Sequence, residues 1–153
     1  MSKTLKIGLP ILLAAVLGFS RESVFLHLNG QIKILEFGYD QVTFPFWLRF
    51  LETCTYDTLL VLKWVFTTLY FLLFWAFSLL VVRMFFNQKQ NYFICHYLYA
   101  VAFFLGFSAL ILGKIVPEME ETCYRFSRMV MGGGQSPLFT MILIPFFWLR
   151  RLG

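Results

Sequence analysis

The feature that most constrains this chain is a run of 19 residues, Trp64 to Val82, without a charged side chain. As a helix it covers roughly 28 Å, close to the roughly 30 Å hydrocarbon thickness of a bilayer. A second run, Tyr92 to Gly113, is 22 residues long, and His96 is its one ionisable side chain other than Tyr and Cys. Backbone inside hydrocarbon must satisfy its own hydrogen bonds, so such runs fold as helices. Composition points the same way: of 153 residues 59% are hydrophobic and 14% charged, with 20% aromatic. That balance excludes a disordered chain and an ordinary soluble domain. The net charge of +5 is not a nucleic-acid signature, because the thirteen basic residues are scattered among apolar runs. No nucleic-acid partner is expected, and the first partner is the lipid bilayer.

Two shorter apolar blocks flank this centre. The first, extended to residues 4–20, contains Pro10 and only just reaches the length of a span. A secretory signal peptide is the rival reading, with Ala14, Ala15, Gly18 and Ser20 supplying small residues. The last block, Pro137 to Leu149, follows Gly132-Gly133-Gly134-Gln135-Ser136 and is interrupted by Pro145. It predicts a helix over 122–131, a break at the glycines and a final span from Ser136. The expected fold is therefore all-α: a polytopic membrane protein of a single domain, residues 1–153. It has about four transmembrane helices, near 4–20, 58–82, 92–113 and 136–149, and an amphipathic interfacial segment after the first span, over 21–55. Within that segment Phe25, Leu28, Ile32 and Leu35 follow helical spacing, which suits a helix lying in the interface. Asn29-Gly30 between apolar residues would also suit a tight hairpin. Phe44-Pro45-Phe46-Trp47-Leu48 is an aromatic cluster of the kind that anchors at headgroup level.

With four spans, both tails and the loop at Arg83–Asn91 share one side. They hold Lys3, Lys6, Arg83, Lys89, Arg150 and Arg151, and no acid. The eight acids (Glu22, Glu36, Asp40, Glu52, Asp57, Glu118, Glu120, Glu121) fall on the other side. Basic residues in short cytoplasmic segments set orientation, so both termini are expected in the cytoplasm.

A few residues carry candidate chemistry. Lys63 is a charge at the edge of a span, facing either the outer interface by snorkelling or a polar seam with Thr67 and Tyr70. Glu118, Glu120 and Glu121 are its possible partners. Arg125 and Arg128 precede the glycines, Gln135 and Ser136, where a helix break would expose backbone N–H groups to an anionic headgroup or carboxylate. The alternative is that both Arg anchor at headgroups or pair with those three Glu. Ala102, Gly106, Ala109 and Gly113 form a small-residue stripe at which another helix, of this chain or a partner, can approach closely. Cys54 and Cys123 fall on the outer side and leave a disulfide open. Cys95 and His96, adjacent on a helix, point about 100° apart and suit packing rather than metal binding. No HExxH, paired CxxC, GxSxG or P-loop spacing occurs, so no metal, cofactor or enzymatic activity is expected.

Tyr124-Arg125-Phe126-Ser127-Arg128-Met129-Val130-Met131-Gly132, then Gln135-Ser136-Pro137 and Met141-Ile142-Leu143-Ile144-Pro145, resembles the C-terminal signature of small exosortase-associated membrane proteins. Further similarity lies in Ser20-Arg21-Glu22-Ser23-Val24-Phe25, Leu28-Asn29-Gly30-Gln31-Ile32 and Leu62-Lys63-Trp64. The resemblance covers most of the chain from Ser20 onward. It implies a bacterial inner-membrane protein that accompanies an exosortase-like enzyme, a membrane cysteine transpeptidase using Cys, Arg and His. That catalytic arrangement has no counterpart here. The implied role is a non-catalytic accessory subunit in protein sorting, acting by helix packing or substrate presentation. The alternative is a small transporter or lipid-handling protein built on a polar cavity around Lys63, Arg125 and Arg128.

Overall fold

The structure, a computed structural model, describes residues 3–38, 43–86 and 88–152, with side chains between 8 and 150. Asp40 and the side chains of Lys3, Lys6 and Arg151 lie outside the described residues. Among the described residues five α-helices make the fold: α1 (Lys3–Phe37), α2 (Tyr56–Phe86), α3 (Lys89–Ile115), α4 (Glu120–Gly134) and α5 (Leu138–Leu152). A 3₁₀ helix, Phe46–Thr53, joins α1 to α2, and a 3₁₀ turn, Pro117–Met119, precedes α4. Among the described residues there is no strand, so the all-α expectation holds. Helices α1, α2 and α3 are long and apolar enough to cross a membrane, and α4 with α5 passes the same test as one span bent by 60°.

The bent pair starts beside the end of α3, where Lys114 Nζ lies 3.2 Å from Glu120 Oε1. It finishes beside the start of α3, where Arg150 donates to Gln90 Oε1 at 2.6 Å. There the Phe147 ring also packs on Phe86, with centroids 5.6 Å apart. α4 packs along α3, and after the bend α5 packs on α2 and ends beside the start of α3, so the pair reaches from one end of α3 to the other. α1 and α2 are antiparallel too: Leu13, Ala14 and Leu17 meet Phe74, Phe77 and Val81, while Val24, Leu28 and Ile32 share a core with Leu59. The start of α1, the α2–α3 turn and the end of α5 therefore gather at one end of the bundle.

Two expectations need correction. The first helix does not stop at Ser20. α1 continues as one 35-residue helix to Phe37, because no helix breaker intervenes and Asn29-Gly30 is helical rather than a hairpin turn. Residues 21–37 stand over α2 and the 3₁₀ helix instead of lying alone in the interface. Their buried face is Val24, Leu28 and Ile32 against Leu48 and Leu51, whereas Leu35 is exposed. Likewise the glycines do not break the chain. Gly132 to Gly134 complete α4, and the bend comes at Gln135–Pro137. Ser136 Oγ donates to Gly133 O at 2.7 Å and accepts the Leu138 N–H at 3.3 Å, so it caps the start of α5. Pro137, with no N–H to satisfy, sits where a helix start tolerates it.

The small-residue stripe meets α4. A methyl on Gly106 would lie 2.8 Å from Met131 Cγ, and one on Gly113 would lie 3.0 Å from Cys123 Cβ. The close approach is thus within the chain, with Ala102 buried beside Met131 in an inner core that also holds Phe71, Tyr99, Leu143 and Phe147. At the centre Ser78 Oγ lies 2.7 Å from Tyr99 Oη and 2.6 Å from Thr140 Oγ1, and Tyr99 also donates to Phe74 O. This buried polar node ties α2, α3 and α5 at one depth.

Candidate functional site

One level of the bundle gathers the charges that the core excludes. At the α4–α5 bend a cavity of about 240 Å³ opens between α1, α2 and α4. Its polar lining is Arg21 and Asn29 from α1, Lys63 and Thr67 from α2, Ser127 and Arg128 from α4, and Gln135 from the bend. Phe25, Leu60, Trp64, Tyr124 and Met131 supply apolar walls, and Gly132 leaves room beside them. Three helices each contribute one cation, and no carboxylate lines the space.

Gln135 organises this arrangement. It is 3% exposed, and both ends of its amide are used. Its Nε2 donates to the Thr67 carbonyl at 3.0 Å, and its Oε1 accepts from Arg21 Nε at 3.2 Å. Arg21 is further held by the Phe25 ring, 5.5 Å from the guanidinium carbon, a cation–π contact. With Nε engaged, the two terminal amino groups of Arg21 are the ends left to meet a ligand. Neighbouring Tyr70 donates to Ser20 Oγ at 3.3 Å, and Thr67 turns its hydroxyl back to the Lys63 carbonyl at 2.7 Å. Of the Lys63 face, Thr67 lines the cavity with it, while Tyr70 is buried against α1 and does not. Lys63 is half-buried in the cavity wall and has no acidic partner among the described residues.

The depth of the site follows from helix geometry. Lys63 lies seven residues into α2 and Arg128 eight into α4, so both are ~10–12 Å below the helix starts. From that level α2 carries no charge until Arg83. The charge-free stretch matches the hydrocarbon thickness to within a few Å, and the cavity lies at its edge.

Of the residues singled out in the sequence, Lys63, Arg128 and Gln135 come together here. Arg125 does not: it is an exposed partner of Glu121, 2.5 Å away on the same helix. Ser136 caps α5 and does not line the cavity. Glu120 is taken by Lys114 rather than by Lys63. The suggested disulfide is not formed. Cys54 and Cys123 are both free thiols, the first packed on the outer core under α1, the second against Gly113 of α3. Each faces a different neighbour, which keeps them apart. Arg21 and Asn29 were not singled out as site residues. Arg21 opens the amphipathic stretch and reads as a flanking charge until the bend of a helix more than a hundred residues later meets it.

No protein-family model, curated protein or solved structure matches this chain.

Proposed function

We propose that this chain is a non-catalytic accessory subunit of an exosortase-type protein-sorting system in a bacterial inner membrane, with both termini in the cytoplasm. In this reading the three-cation cavity is its working part, and it holds an anionic group at the outer membrane boundary. One observation carries the proposal. The separate motifs on which the resemblance rests, around Arg21, around Asn29, at Leu62-Lys63-Trp64, from Tyr124 to Gly132 and at Gln135, supply eleven of the thirteen residues that line the cavity. Segments far apart in the chain that share one cavity share one task. The lining holds three cations and no Asp, Glu, His or Cys, a set suited to holding an anion.

The test is made in the bacterium that carries the chain. Lys63→Met combined with Arg128→Gln is expected to impair protein sorting while the subunit stays at normal abundance in the membrane. Co-purification of a membrane transpeptidase in mild detergent is the second expected result. Normal sorting in the double variant, or recovery of the wild-type chain without any partner, would overturn the reading.

A lipid-handling protein is the second reading, favoured by the exposure of Trp64 and Arg128 at the cavity rim. Transport is disfavoured because compact exporters use an acidic residue within a span, and none lies within 4–20, 58–82, 92–113 or 136–149.

A further inference from the structure

We infer that the cavity is a phosphate site for the headgroup of a bilayer phospholipid, with the glycerol and acyl chains lying outside it along Trp64 and Tyr124. The inference rests on the anion-holding reading above and names its ligand. Four observations converge on it. Arg21, Lys63 and Arg128 line a common space with no carboxylate in its lining, and none of the three is in an ion pair among the described residues. A phosphate diester seated there would give all three a shared counter-charge.

Chemistry favours phosphate over a plain carboxylate. Gln135 holds Arg21 by Nε, which leaves both terminal amino groups of a planar fork that suits two phosphate oxygens. Lys63 adds a point charge from α2, and Arg128 adds a second fork from α4. A phosphodiester carries one charge and two unesterified oxygens, as a carboxylate does, but its four oxygens are set tetrahedrally, so its acceptors can face donors on three helices rather than in one plane. Ser127, buried in the wall, and Asn29 add uncharged polar groups.

Size and position then choose a lipid. About 240 Å³ is smaller than the roughly 300–1,000 Å³ of sites that enclose a whole small molecule, so a headgroup fits and a nucleotide does not. The cavity lies at the level where phospholipid phosphates meet hydrocarbon. Its walls are half aromatic or aliphatic, and Trp64 and Tyr124 are exposed at its edge, where acyl chains and glycerol would lie.

The experiment uses the full-length chain in nanodiscs of phosphatidylglycerol or of phosphatidylcholine, followed by gentle release into detergent and native mass spectrometry. Wild type is expected to retain one phospholipid per chain. Arg128→Gln, which removes an exposed side chain without a partner, is expected to weaken retention about ten- to a hundredfold, the effect of one charge-assisted hydrogen bond. Arg21→Gln should do the same. Because Arg21 also ties α1 to Gln135, Arg128→Gln decides the matter if that variant folds poorly. Lys63→Arg should retain lipid.

Free inorganic phosphate at millimolar concentration is the discriminating arm. If it displaces the lipid and binds as tightly, the site takes soluble phosphate and the lipid assignment fails, while the anion-holding reading stands. If neither lipid nor phosphate distinguishes wild type from Arg128→Gln, both fail. If lipid retention is lost in the variants but sorting in cells is normal, the lipid assignment stands and the sorting role falls.

Discussion

At the residue scale the neighbouring glycines of the α4 end have opposite tolerances. A methyl group on Gly134 would run into the ring of Phe71, a buried side chain of the inner core. A methyl group on Gly132 meets nothing within 4 Å. Gly134→Ala is therefore expected to destabilise the bundle by about 1–3 kcal/mol, the usual cost of overpacking. Gly132→Ala is expected to be neutral or to stabilise by up to about 1 kcal/mol, because Ala is the better helix former. Thermal unfolding in detergent, followed by the intrinsic fluorescence of the Trp residues, separates the two, and equal effects would refute the packing argument. The sequence showed three glycines in a row and suggested a hinge. That reading missed their roles because a glycine that breaks a helix and one that lets a ring approach look alike until the ring is placed. Lys63, Arg128 and Gln135 were legible as candidates because a charge or amide at the edge of an apolar run has no routine use. Arg21 was not, since its partner lies 114 residues away.

At the element scale the most informative contact is α3 against α4. The small-residue stripe Ala102, Gly106, Ala109 and Gly113 predicted a close helix approach, and the chain itself supplies the neighbour. Its two glycines differ in what faces them. Gly106 faces the flexible end of Met131, which can swing away, whereas Gly113 faces Cys123 Cβ at 3.0 Å and the Glu120 Cα at 3.3 Å. Gly113→Ala is thus expected to cost more stability than Gly106→Ala, by roughly 1 kcal/mol or more, because backbone must move rather than a thioether. Parallel unfolding curves for the two variants test it, and a larger loss at Gly106 would contradict the geometry. The extents of α2 and α3 were readable because long charge-free runs have few alternatives. The join between the first span and residues 21–37 was not. An amphipathic stretch signals which face is buried but not whether its axis continues that of the preceding helix.

At the scale of the whole molecule the helices define two ends. Sequence carried this far: counted from charge alone, the tails and the Arg83–Asn91 loop share a side, and contacts such as Arg150 with Gln90 put the end of α5 beside that loop. Which side faces the cytoplasm is a matter for labelling. In the orientation proposed above, a single cysteine introduced at Gln88 is expected to react with membrane-impermeant maleimide only after the membrane is opened. One introduced at Glu52 is expected to react while the membrane is intact. Both measurements use a background in which Cys54, Cys95 and Cys123 are replaced by Ser or Ala. The reverse pattern would invert the orientation proposed above, and reaction of both positions from one side would remove a crossing.

The double hold of Gln135 has a mechanical consequence. Its amide lies at the elbow of the bent span and grips α1 through Arg21 and α2 through the Thr67 carbonyl. A pull on the Arg21 guanidinium is therefore delivered to the elbow, and a change of elbow angle is delivered back to the guanidinium. Such transmission is reciprocal: whatever straightens or sharpens the bend must alter the grip on an anion by the factor with which the anion alters the bend. A neighbouring protein that leans on α5 would thus tune occupancy of the cavity without touching it.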